Sequence, residues 1–191
     1  MDGLFAFAAS VFALLSVPGP TNTLLATSGA ARGVRGSLLL LPAELAGHSI
    51  AIGLWLVVVD PLAQRFEVIP TIAKLIAAAY LLWAAWRLWS SPPEGGGSQP
   101  VGPRRLFVAT LLNPKAMILA FVIFPHGAVD TLGPYALVFV VLEVTIGAGW
   151  IWLGHGMARM AGGMATTARI LRIGAVALVL FATFIAASAV D

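Results

Sequence analysis

The stretch that decides the fold reads Ser16-Val17-Pro18-Gly19-Pro20-Thr21-Asn22-Thr23. It lies in the middle of an apolar run, and no residue from Gly3 to Ala31 carries a charge. A membrane-spanning helix needs about 20 apolar residues, which this run supplies. Yet Pro18 and Pro20 each lack an N–H and crowd the carbonyl one turn earlier, so the helix is interrupted there. Gly19 between them adds backbone freedom. Broken backbone at membrane depth is tolerated only where protein or a water-filled cavity surrounds it. The stretch is therefore expected to face the interior of a helix bundle.

Composition sets the class. Of 191 residues, 60% are hydrophobic and 10% charged, and the mean hydropathy is +0.96. An ordinary soluble domain is about 25% charged. An all-α integral membrane protein is expected, with no separate soluble domain. Cysteine is absent, which excludes disulfides, thiolate metal sites and dithiol redox chemistry. The net charge of +3 is read by side of the membrane and not as a nucleic-acid signal. The N-terminal run follows Asp2, lacks a basic leader and is too long for a signal peptide, so it reads as the first membrane helix.

Six apolar segments follow: Gly3–Ser28, Ser37–Val59, Val68–Trp89, Leu106–Pro125, Leu132–Gly156 and Ile170–Val190. Between the third and fourth lies a Pro- and Gly-rich stretch, a flexible linker by composition. The expected organisation is a three-helix unit over residues 1–90, a cytoplasmic linker over 91–105 and a second three-helix unit over 106–191. With the N-terminus outside, Arg32, Arg35, Arg87, Arg104, Arg105, Arg159, Arg169 and Arg172 all fall on the inner side. Only Arg65 and Lys74 fall towards the outer one. That asymmetry predicts both termini outside the cytoplasm. Tryptophans such as Trp83, Trp86 and Trp89 fall near the predicted interfaces, as amphipathic rings do.

The two halves share a pattern. Thr110-Leu111-Leu112-Asn113-Pro114-Lys115 is a second proline break, in helix four. Helices two and five each carry one intramembrane carboxylate, Glu44 and Glu143. Three helices are an odd number, so the second copy enters from the opposite face. This is the inverted-repeat plan of secondary transporters, in which broken helices mark a site near the midplane.

The polar residues of these helices are the candidates for chemistry. Glu44 and His48 are four residues apart, on one helical face. An intramembrane carboxylate is costly unless paired or protonated, and histidine titrates near neutrality. The two are candidates for proton coupling, or form a hydrogen-bonded packing pair. Lys115 sits too deep to snorkel and needs a partner, with Glu143 and Glu44 the options. Freed helix ends and a cation suit a carboxylate substrate. Candidate substrate-binding residues are therefore Pro18, Gly19, Pro20, Asn22, Asn113, Pro114, Lys115 and Glu143. Asn22, Thr21, Thr23 and Asn113 could equally serve to satisfy the broken backbone. Gly29-Ala30-Ala31-Arg32-Gly33 reads as an inner turn with packing glycines. His126, Asp130 and His155 read as loop or interface residues.

Other chemistries lack their motifs. There is no P-loop and no His-Glu-x-x-His, and the three histidines are scattered. No catalytic residue, no cofactor and no metal site is expected.

Several of these stretches together resemble the lysine exporter (LysE/RhtB) translocator family. They are Pro18-Gly19-Pro20 with Asn22-Thr23-Leu24-Leu25; Gly33 with Arg32 and Arg35; and Gly47-His48. Ala79-Tyr80-Leu81-Leu82-Trp83 with Trp86-Arg87 and Leu112-Asn113-Pro114-Lys115-Ala116 complete the set. The likeness is clearest from Ser16 to Ala120. One departure is Thr21, which intervenes between the second proline and Asn22. The resemblance implies a multi-pass protein of the bacterial inner membrane that exports a small zwitterionic amino acid or derivative, in exchange for protons. It also allows for a homodimer, and nucleic acid is not among the implied partners. A passive channel or a non-transporting membrane scaffold is the alternative. An enzyme acting on lipid is disfavoured, because His48 and Ser49 are adjacent and point apart on a helix.

Overall fold

The computed structural model describes residues 2–66, 68–90, 101–113, 115–125 and 132–159, and near the C-terminus 172, 175–176, 178–180, 182–187 and 189. Pro114, His126, Asp130, Arg169 and residues 91–100 of the expected linker lie outside the described residues. Among the described residues all regular structure is helical.

The first apolar run forms α1 (Asp2–Ser16) and α2 (Pro20–Ser37). The two meet at a 62° bend across Val17–Gly19. Pro20 opens α2 as its first helical residue, where a missing N–H costs nothing. α2 runs past the expected end at Ser28. The expected turn at Gly29–Gly33 is helical instead, and the interruption is confined to Gly33. At φ 71°, Gly33 occupies the left-handed region that glycine adopts without steric cost.

α3 (Leu40–Leu54) continues through a π-helical turn at Trp55–Val59 into α4 (Asp60–Arg65). α5 spans Val68–Ser90. α6 begins at Pro103, within the stretch expected as linker. It ends at Leu111, before α7 (Lys115–Ile118) and a second π-helical turn at Leu119–Ile123. Helix four is therefore interrupted after Leu111, with Leu112 and Asn113 outside helix, at the break expected there. α8 covers Gly133–Arg159, and the described residues within Leu178–Ala187 are helical.

By length and apolar composition Leu40–Val57 and Gly133–Arg159 can cross a membrane, and the bent α1–α2 pair passes the same test as one span. The surface agrees with a lipid environment. Phe5, Leu39, Val57, Trp86, Leu137 and Trp152 are all exposed, whereas Glu44, His48, Lys115 and Glu143 are buried. In water, so much apolar exposure marks an interaction surface.

Packing follows from helical stripes. Phe139, Glu143, Gly147, Ile151 and Gly154 form the buried line of α8, at the spacing of one helical face. α2 lies along α8, and α3 lies on α6. Small residues set both approaches, as in membrane bundles generally. A Cβ on Gly154 would strike the Ala26 carbonyl, and one on Gly29 the Ile151 carbonyl. A Cβ on Gly47 would sit 2.8 Å from the Thr110 Cβ. Two apolar cores result. Leu25, Leu40, Leu41, Leu106 and Ile151 belong to one; Val17, Ala51, Ala116 and Phe139 belong to the other. Asn22, Glu44, Asn113 and Glu143 each fall between members of the two along the chain, so a polar layer separates them.

Gly154→Ala is expected to overpack the α2–α8 crossing and cost about 1–3 kcal/mol. Gly149→Ala, whose added Cβ meets nothing within 4 Å, should leave stability unchanged or raise it slightly. Unfolding of both variants in detergent micelles reads the difference.

Candidate functional site

The polar layer begins at the first break. Pro18 and Pro20 supply no donors, so carbonyls at the end of α1 lose their helical partners. Asn22 repairs this from the first turns of α2. Its Nδ2 donates to the carbonyls of Leu15 at 2.7 Å and Val17 at 2.8 Å. The Val17 carbonyl takes a second donor, Lys115 Nζ, at 2.6 Å. Gly19 lines this approach, since a Cβ there would lie 3.3 Å from Lys115 Cε.

The second break is capped by its own asparagine. Asn113 Oδ1 accepts from the Lys115 backbone N–H at 3.1 Å. Its Nδ2 donates to the Thr21 hydroxyl at 3.3 Å. The two breaks are thus joined twice, by Lys115–Val17 and by Asn113–Thr21. Both links run between residues more than 90 positions apart in the chain.

Beside them stands an acid–imidazole cluster. Glu44 and His48 come from the buried face of α3, and Glu143 from that of α8. His48 Nδ1 and Glu143 Oε1 are 2.5 Å apart. Glu44, Glu143 and Lys115 are each 3% exposed and His48 is 1% exposed. Glu44 Oε2, His48 Nε2 and Glu143 Oε2 are buried and have no hydrogen-bond partner among the described residues. Gly147 makes room for the Glu44 carboxylate, for a Cβ there would lie 2.7 Å from its Oε2. Phe139 sets its edge against the His48 ring, with centroids 6.5 Å apart.

A family model described as LysE type translocator matches residues 12–189. The chain belongs to that family. Among its relatives, the leucine efflux protein of Enterobacter sp. (strain 638) is 30% identical over 120 residues, covering 59% of this chain and 57% of that protein. The cysteine/O-acetylserine efflux protein of Salmonella typhimurium is 30% identical over 103 residues, 53% of each. An uncharacterized membrane protein of Vibrio cholerae is 28% identical over 152 residues, covering 73% and 72%. The chain spans a little over half the length of the two named efflux proteins. No solved structure matches it.

Most of the residues singled out in this LysE-family chain therefore meet in one layer. Asn22, Asn113, Lys115, Glu44, His48 and Glu143 are all buried there, and Gly19 touches Lys115. Two pairings differ from the simplest reading of the sequence. His48 bonds Glu143 on α8 and not its helical neighbour Glu44. The Lys115 ammonium donates to a backbone carbonyl and forms no ion pair within 4 Å with either carboxylate. Thr21 and Gly147 carry more of the geometry than expected. Thr21 could be found as the hydroxyl following the second proline, and Gly147 as the glycine one helical turn after Glu143. His155 lies apart, 3.8 Å from the position of a Cβ on Gly33.

Asn22→Ala would leave the Leu15 and Val17 carbonyls each one donor short. A loss of about 1–3 kcal/mol is expected, read as a lowered unfolding midpoint in detergent.

Proposed function

We propose that the protein exports a small amino acid or amino-acid derivative from the bacterial cytoplasm across the inner membrane, by proton antiport with alternating access. The observation that carries this reading is the double link between the two broken helices, beside a buried cluster of two carboxylates and an imidazole. Broken helices free backbone donors and acceptors for a substrate near the midplane, and intramembrane acids serve as proton relays. The similarity to leucine efflux and cysteine/O-acetylserine efflux proteins supports an amino-acid substrate.

The architecture in this proposal is six membrane helices in two inverted repeats, residues 1–90 and 106–191, joined by a cytoplasmic linker. The packing of α2 on α8 and of α3 on α6 supports it. Helix one on five and helix four on two are the pairs that such a symmetry exchanges. Both termini are placed outside. In support, Arg32 Nη1 donates to the Val101 carbonyl at 3.2 Å. Arg172 lies over the Trp89 ring at 5.7 Å. Two basic residues of the inner side thus contact residues in or next to the linker. A homodimer would cover part of the apolar outer surface.

In this mechanism Glu44 and Glu143 compete for the substrate ammonium and for protons, with His48 passing a proton between them. Lys115 exchanges the Val17 carbonyl for the substrate carboxylate. That exchange removes one of the links between the breaks, so substrate binding loosens the hinge on which the two halves move. Pro18, Gly19, Pro20, Asn113 and Pro114 shape the openings, and Asn22 holds the α1 end.

The test is flux from proteoliposomes loaded with leucine, cysteine or O-acetylserine, with and without an inward proton gradient. Gradient-dependent export of at least one is expected, and its absence across the panel overturns the proposal. Lys115→Met should lower export about 10–100-fold, the loss of one charged hydrogen bond of about 1.5–3 kcal/mol. Glu44→Gln should uncouple export from the gradient. Pro20→Ala should insert normally but transport poorly; full activity there would reduce the break to a structural feature.

A further inference from the structure

The acid–imidazole cluster holds more open coordination than proton transfer requires. One potential ligand atom each from Glu44, His48 and Glu143 lies within 4.8 Å of the other two. All three residues are at least nine-tenths buried. Each retains a polar atom with no hydrogen-bond partner among the described residues, namely Glu44 Oε2, His48 Nε2 and Glu143 Oε2. Buried polar groups in proteins are nearly always satisfied, so three open ones in one cluster point to a missing partner. A cation held by one ligand atom from each residue would take lone pairs from two carboxylates and one imidazole.

Charge narrows the choice. Two carboxylates face one another in an apolar surround, and the nearest ammonium, Lys115 Nζ, is engaged with the Val17 carbonyl. A cation inside the cluster would offset the repulsion between the two acids. Ligand type narrows it further. Sodium, magnesium and calcium prefer oxygen donors, whereas an imidazole nitrogen beside carboxylates suits first-row divalent ions. Gly147 keeps the Glu44 carboxylate in position, because a Cβ there would intrude on it.

We infer that Glu44, His48 and Glu143 form a binding site for a divalent transition-metal ion of the zinc class. The ion occupies the cluster in place of protons or a substrate ammonium, and so arrests the protein in one state. Water completes the coordination shell. His155 takes no part.

The test uses the full chain in detergent, stripped with a chelator and free of amino acids. Zinc binding is followed by calorimetry, and cobalt by its visible absorption. Saturable binding of a single ion per chain is expected, together with a raised unfolding temperature. Magnesium and calcium at the same concentrations should do neither. Glu44→Gln leaves the His48–Glu143 hydrogen bond intact and should weaken zinc at least about tenfold; His48→Asn should do the same. His155→Asn should bind as the parent does. No saturable zinc binding by the parent chain overturns the inference. So does equal stabilisation by magnesium, or zinc affinity unchanged by both Glu44→Gln and His48→Asn. The parent chain with zinc and magnesium decides the matter even where a variant fails to fold. Because binding is read without transport, its failure leaves the export proposal standing, and failed export leaves the metal site standing.

Discussion

A single carbonyl oxygen, that of Val17, ties this molecule together. Prolines on the C-terminal side deprive the end of α1 of helical donors, and a bare carbonyl cannot be left in hydrocarbon. Asn22 answers from within the same half of the chain and Lys115 from the other half. The second donor is the consequential one. It brings the break in helix four against the break in helix one, and Asn113–Thr21 then closes the contact. Neither interruption can change shape without disturbing the other.

The polar layer built on this contact sits between two apolar cores. Its backbone repairs are complete where they are structural: the carbonyls of Leu15 and Val17 are met, and so is the Lys115 amide. The carboxylates and imidazole next to them differ, each keeping one polar atom open. A network serving only packing gains from full satisfaction and loses heavily from partial satisfaction. The contrast between sealed breaks in helices one and four and an open acid cluster on α3 and α8 separates the scaffold from the part that exchanges partners.

Glycines determine how closely the parts approach. Gly29 and Gly154 let backbone meet backbone between α2 and α8, and Gly47 does the same between α3 and α6. Gly147 leaves the space that the Glu44 carboxylate fills. The small residues of Gly29-Ala30-Ala31-Arg32-Gly33 read as a turn because glycine is a turn residue by propensity. Here Gly29 serves packing within a helix, and only Gly33 bends the chain. Local propensity carries no information about a neighbour arriving from more than a hundred residues away, so the sequence could not separate those two roles.

Chain chemistry alone dictated the membrane class, the helical content and the positions of both breaks. It also singled out the polar residues too deeply set to be solvated. Those features follow from hydropathy and from proline's missing donor, which act over one helical turn. Which polar groups would meet was a matter for the folded state. Helical spacing put Glu44 and His48 on one face, yet left open whether they bonded each other or something across the bundle. Gly147 leaves room on α8 for the Glu44 and Leu41 side chains of α3, and the approach of those two helices brought Glu143 to His48. The bend at Pro18-Gly19-Pro20 brought the Val17 carbonyl within reach of Lys115. Pairings across helices depend on rotations and offsets that no single helix encodes, and for that reason only the tertiary structure could decide them.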